Sequence, residues 1–201
     1  MALLKTIVGY ANRGGNVEIK AYGVENIPSE GSFMFFPNHQ GLYDVLAMIE
    51  TSPRFFSIVA KIELMKIGFL RTVFKVMGAY AIDREDVRQS MKVIQSVSED
   101  VKNGKSFLIF PEGTRSRNGN EIGEFKGGSF KSATKAKCPI VPVAIIDSYK
   151  AFDTKSIEKV TVQVHYLEPL YYDDYKMLKT NEIAEIVSKK IKKTIDNYTK
   201  C

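Results

Sequence analysis

Two short apolar runs in this chain are each cut off by a proline, and each proline is followed at once by chemistry. Phe33-Met34-Phe35-Phe36 ends at Pro37, with Asn38-His39 next; Phe107-Leu108-Ile109-Phe110 ends at Pro111, with Glu112-Gly113 next. A proline has no N–H to give to a neighbouring strand, so it stops a sheet ladder. Apolar runs of this length between turn signals read as buried strands, here 32–36 and 106–110. Further strands are expected at 17–22, 54–60, 79–82, 140–146 and 160–167. Helices are expected at 43–50, 63–77, 85–103, 125–136 and 181–198. The stretch 85–103 carries Val87, Met91, Ile94, Ser98 and Val101 at 4-3-4-3 spacing, with Gly104 in the place of a C-terminal cap. Strands alternating with helices predict an α/β fold: a single domain with a mixed, largely parallel sheet flanked by helices. No repeat or low-complexity linker divides the chain. Residues 17–201 read as the domain, preceded at 1–16 by a short N-terminal helix. In such sheets ligands bind beyond the carboxyl ends of the strands, where both proline-ended runs lead.

Composition narrows the function classes. With 44% hydrophobic and 26% charged residues, disorder, collagen and coiled coil are excluded. No apolar run approaches the roughly 18 residues of a membrane span. The N-terminus has no signal-peptide pattern, and Cys138 and Cys201 form no disulfide framework, so a cytoplasmic location is expected. A net charge of +6 suits an anionic partner: nucleic acid, a phosphorylated metabolite or an anionic membrane. Six basic residues stand against two acidic ones between 54 and 84, in a segment also rich in Phe, Leu, Ile, Val and Met. That pattern fits an interfacial helix or a core helix with lysines on its wet face. At the N-terminus, Leu3, Leu4, Ile7 and Val8 form a stripe suited to a membrane surface or to the domain's own core. No cluster of histidines or cysteines suggests a metal site, and no nucleic-acid-binding motif appears.

The chemistry-bearing residues follow the two prolines. His39 is a candidate general base, because a neutral imidazole titrates near 6.5. Asp44, five residues on, would fix its tautomer once a turn folds the carboxylate back. Taken alone, the pair is also compatible with a loop histidine near a helix N-terminal acid. After Phe110-Pro111 come Glu112-Gly113-Thr114-Arg115-Ser116-Arg117. A glycine turn lets successive N–H groups face an anion, and arginine offers a fork for phosphate. Asp83 and Arg84, after the strand at 79–82, read either as a helix cap and a solvent residue or as a further phosphate ligand.

Taken together these blocks resemble the glycerophospholipid acyltransferase family. Asn38, His39 and Asp44 match its Asn-His-x-x-x-x-Asp motif. Lys61, Leu64 and Ile82-Asp83-Arg84 match the second, and Phe110 to Ser116 read Phe-Pro-Glu-Gly-Thr-Arg-Ser, the third without change. Val141-Pro142-Val143-Ala144 matches the fourth. The resemblance covers about residues 17–147, and the order and spacing of four motifs make it specific. Gly41, Gly68 and Arg71 depart from the usual serine, proline and glycine.

The resemblance implies a glycerol-3-phosphate acyltransferase-like fold. It also implies transfer of a fatty acyl group from acyl-CoA or acyl-acyl carrier protein, a co-substrate rather than a cofactor. The acceptor would be the sn-2 hydroxyl of 1-acyl-sn-glycerol 3-phosphate. Another lysophospholipid or lipid hydroxyl, or a non-catalytic basic lipid-binding module, are the alternatives. His39 and Asp44 would be catalytic. Lys61, Arg84, Glu112, Gly113, Thr114 and Arg115 would bind substrate, with Glu112 orienting an arginine or the glycerol hydroxyl. Peripheral attachment to the inner face of the cell membrane is expected.

Overall fold

The structure, a computed structural model, describes residues 5–6, 8–10, 12, 15–153 and 158–199. Seven strands form one sheet: β1 (Val17–Tyr22), β2 (Met34–Pro37), β3 (Ser57–Lys61), β4 (Tyr80–Ile82), β5 (Phe107–Leu108), β6 (Ile140–Ile146) and β7 (Val160–Tyr166). Their order is β1-β7-β6-β2-β5-β3-β4, and every neighbouring pair is parallel except β6 with β7. The mixed, mostly parallel sheet expected from the alternation is therefore present.

Side chains of successive strand residues point to opposite faces, and both faces are dry. Met34, Phe36, Phe107, Ile140 and Ala144 face α3 (Val87–Lys102), α4 (Lys131–Ala136) and α7 (Thr180–Thr199). Phe33, Phe35, Leu108, Val141, Val143 and Ile145 face α1 (Tyr43–Thr51) and α2 (Gly68–Val76). Two further α-helices, α5 (Lys150–Asp153) and α6 (Tyr172–Tyr175), are single turns in connections that sequence periodicity does not reveal.

Two expected helices are broken. The stretch 63–77 divides into a 3₁₀ segment, Ile62–Lys66, and α2, because Ile67 between them is extended and no side chain caps the new start. The stretch 125–136 opens as a 3₁₀ turn, Gly127–Phe130, before α4. Gly127 approaches the start of α7 so closely that a Cβ there would lie 2.0 Å from Asn181 Oδ1. The stripe on α3 is also divided. Ser98 and Val101 are buried, whereas Val87 and Met91 remain 68% and 65% exposed.

At the N-terminus Leu3, Leu4 and Ile7 lie outside the described residues. Val8 is buried against the α1 side of the core. Asn12 donates to Glu50 and accepts from the Tyr43 hydroxyl. Among the described residues no helix is long and apolar enough to cross a membrane.

Candidate active site

β2 and β5 lie side by side in parallel, pairing Met34 with Phe107 and Phe35 with Leu108, an offset of 73 residues. Pro37 and Pro111 end these neighbouring runs at the same edge, so the chains leave the sheet together. The offset continues into the loops: the His39 N–H donates to Glu112 Oε1 at 2.7 Å, again 73 residues away. Ser116 N–H returns a bond to the His39 carbonyl at 2.8 Å. On the other flank of β2, Asn38 takes both a donor and an acceptor from Ile145 of β6, at 2.7 and 2.9 Å. The histidine backbone is therefore clamped from both neighbouring strands.

Its ring is fixed as well. His39 stacks on Phe110, with centroids 3.9 Å apart and planes 20° from parallel. His39 Nδ1 lies 2.7 Å from Asp44 Oδ2. The turn through residues 40–42 folds the carboxylate back, and Asp44 lies in the first turn of α1. The same Oδ2 accepts Gln40 N–H at 2.7 Å and Gly41 N–H at 3.0 Å. Ser148 Oγ donates to the other oxygen, Oδ1. Asp44 is 0% exposed. A buried carboxylate needs its lone pairs matched, and here both oxygens are. With Nδ1 directed at Asp44, Nε2 remains as the ring's basic nitrogen.

The substrate-binding expectations divide. Glu112 is 2% exposed, and its second oxygen accepts Gly123 N–H at 2.9 Å. Burial raises its carboxyl above the usual range, and the two backbone donors oppose that rise. Both oxygens serve as a strut between the loops. Gly113 has φ +74°, a left-handed conformation that favours glycine, and a Cβ there would sit 3.4 Å from Lys126 Nζ. Arg84, Gly113 and Lys126 line one groove of about 570 Å³. Thr114 and Arg115 are exposed beside it. Lys61 is exposed and paired with Glu63 at 2.8 Å, just outside the groove lining.

The groove runs from Phe110, beneath the His39 ring, between α3 and the start of α4. Val87, Met91 and Ile94 supply an apolar wall; Arg84, Lys126, Lys131 and Lys135 supply positive charge, and among the described residues no acidic side chain lines it. Lys126, Ser148 and Gln40 are contributors that the motif reading missed. Lys126 stands sixteen residues past the third motif's start at Phe110, whereas Ser148 and Gln40 carry no sequence signal of their own. Cys138 is buried, and burial pushes its thiol up to about 12, far from a nucleophile's range.

Residues 18–146 match the family model described as Acyltransferase. The chain belongs to the acyltransferase family. It is 35% identical over 136 residues, 68% of its length and 54% of the relative's, to the 1-acyl-sn-glycerol-3-phosphate acyltransferase of Borreliella burgdorferi. It is 30% identical over 170 residues, 81% of its length and 49% of the relative's, to the chloroplastic BAT2 enzyme of that name from Brassica napus. The chain thus spans about half the length of these curated relatives. In fold, this acyltransferase chain is similar to the crystal structure of the 1-acyl-sn-glycerophosphate acyltransferase of Thermotoga maritima. That comparison has a TM-score of 0.81 at 24% identity and covers 98% of this chain and 80% of the other.

Proposed function

We propose that this acyltransferase moves a fatty acyl group from a thioester donor, acyl-CoA or acyl-acyl carrier protein, to the sn-2 hydroxyl of 1-acyl-sn-glycerol 3-phosphate. The product is phosphatidic acid, and the activity serves phospholipid biosynthesis. The observation that carries this reading is an imidazole held by a buried carboxylate and stacked on Phe110, a residue that lines an apolar groove with cations along it. Both relatives quoted above carry the name of that activity.

His39 Nε2 takes the proton of the acceptor hydroxyl as its oxygen bonds to the thioester carbonyl carbon, and the carbonyl electron pair moves onto oxygen. Asp44 stabilises the imidazolium that forms. The tetrahedral species collapses, the C–S bond breaks, and the imidazolium returns its proton to the departing sulfur. A thiol titrates near 8.5, so the sulfur leaves with little help from an acid. Arg84 and Lys126, with the Gly113 turn, hold the acceptor's phosphate; Arg115 and Lys61 add positive charge nearby, and Thr114 lies on the same turn. Acyl chains lie along Val87, Met91 and Ile94.

Contact with a membrane is peripheral, on the inner face of the cell membrane. The exposed Ile67 and Val76 flank α2 beside the exposed Lys66, Arg71 and Lys75, a combination suited to an anionic lipid surface. Binding to anionic vesicles should weaken as salt rises; salt-independent binding, or none, rejects the membrane reading.

The activity is tested by incubating labelled acyl donor with a panel of acceptors. Acylation of 1-acyl-sn-glycerol 3-phosphate in preference to monoacylglycerol is expected. His39→Ala should keep the fold and lose about 10²–10⁴-fold in rate, the usual cost of removing a base. Transfer by folded His39→Ala at a rate near the wild type's overturns the mechanism.

A further inference from the structure

Asp44 receives its donors unevenly. Oδ2 takes His39 Nδ1, Gln40 N–H and Gly41 N–H, whereas Ser148 Oγ is the one donor to Oδ1 among the described residues. Ser148 is 0% exposed and opens the connection after β6, more than 100 residues away along the chain. Its hydroxyl has one proton and two acceptors in reach, Asp44 Oδ1 and Gln40 Oε1, the latter at 2.9 Å. Gln40 Oε1 already accepts the Ser148 backbone N–H at 2.9 Å. The charged oxygen has no other donor among the described residues and is the stronger acceptor, so the proton goes to Asp44.

We infer that Ser148 is a positioning residue for the acyl-transfer reaction: its hydroxyl holds the Asp44 carboxylate in the orientation that gives Oδ2 to His39. The inference rests on the proposed role of His39 as base. Gln40 in turn holds Ser148, and its amide donates to Asn120 Oδ1 at 2.7 Å. Asn120 also accepts Asp147 N–H at 2.9 Å and donates to Asp147 Oδ1 at 2.9 Å. The loop after the third motif and the turn after β6 are thereby tied to the same carboxylate. Without the hydroxyl, Oδ1 is a buried anionic oxygen with no donor. The carboxylate then rotates or takes a proton, and in either case Nδ1 loses its acceptor and the ring its fixed tautomer.

Ser148→Ala removes one oxygen and adds nothing. In the folded variant kcat should fall roughly 10- to 100-fold, as expected when a hydrogen bond to a charged group is lost, with KM within about two-fold. Ser148→Cys, a near-isosteric weak donor, should lie between the two. The readout that a merely structural role leaves unmoved is the low-field proton resonance of the His39 ring N–H, assigned by its absence from His39→Ala. It should be displaced or lost in Ser148→Ala. A Ser148→Ala protein that melts like the wild type yet keeps kcat within about two-fold, or keeps this resonance in place, overturns the inference. If Ser148→Ala does not fold, Ser148→Cys is judged by the same two criteria. If the wild type acylates no acceptor, the activity reading fails while the resonance still decides the role of Ser148.

Discussion

Asp44→Asn separates two things a carboxylate does for a histidine base, and the structure predicts which one survives. An asparagine has one oxygen and one amide nitrogen to place where Asp44 has two oxygens. With nitrogen at the Oδ2 position, it would face the N–H groups of Gln40 and Gly41, two donors opposing a third. At the Oδ1 position the nitrogen faces only Ser148, whose hydroxyl can turn to accept and send its own proton to Gln40 Oε1, 2.9 Å away. The amide therefore settles with its oxygen toward His39, and the ring keeps its tautomer. What is lost is the charge opposite the imidazolium. Exchanging a charge-assisted hydrogen bond for a neutral one costs about 1–1.5 kcal/mol, or roughly ten-fold in rate. Loss of the full attraction between unit charges about 4 Å apart, at an effective dielectric of 20, costs about 4 kcal/mol, or roughly 10³-fold. The variant should fall between these limits, well short of the roughly 10⁴-fold seen where such a change inverts the tautomer. Single-turnover transfer of labelled acyl groups by wild type, Asp44→Asn and His39→Ala makes the comparison. In the Ser148→Ala background the amide has no acceptor at Oδ1, so the same substitution should cost more. Asp44→Asn that folds normally yet loses about 10⁴-fold, the cost of an inverted tautomer, would refute the orientation argued here.

Two further outcomes follow from single side chains. Lys126→Met should raise KM for the phosphate-bearing acceptor roughly five-fold, the scale of an exposed ion pair, while kcat and the rate with a neutral monoacylglycerol stay put; an unchanged KM removes Lys126 from the phosphate site. His165 is 3% exposed, and burial lowers its ring from 6.5 to about 4. The folded protein then binds fewer protons there than the unfolded chain. Stability from this group is complete above about 6.5 and declines as pH falls through the window down to about 4, by up to about 3 kcal/mol. His165→Phe should flatten that part of the stability curve relative to wild type in urea titrations; parallel curves count against it.

The expected strand ends and the observed ones differ by a few residues, and the reason both proline-ended runs were legible is local. Pro37 and Pro111 each stand between an apolar run and a polar, glycine-containing loop, so they mark the loops that carry His39 and Glu112 without any knowledge of the fold, whereas Pro142 sits inside β6 and ends nothing. The breaks at Ile67 and Gly127 were not legible in the same way. The apolar period runs across Ile67, and the glycine is needed because Asn181 arrives from a helix more than fifty residues later. The exposed Val87 and Met91 were equally hidden: helical spacing identifies an apolar stripe but does not say whether sheet or groove faces it.

The same distinction explains why the catalytic pair was readable while its support was not. His39 and Asp44 are five residues apart, so one turn can join them, and their spacing is a pattern in one dimension. Ser148 reaches Asp44 only because β6 lies against β2, a pairing that no local residue pattern encodes. Even the offset of 73 between His39 and Glu112 follows from β2 and β5 being neighbours in the sheet, though two other strands, β3 and β4, lie between them along the chain. The motif at 110–116 marks Glu112 without showing which backbone it meets. Its surroundings turn it inward, where it ties the second loop to the backbone of the first. The third motif therefore acts on the chemistry partly from behind. It sets the height and tilt of the imidazole through Phe110 and Glu112, and a substitution there can lower the rate without touching either substrate.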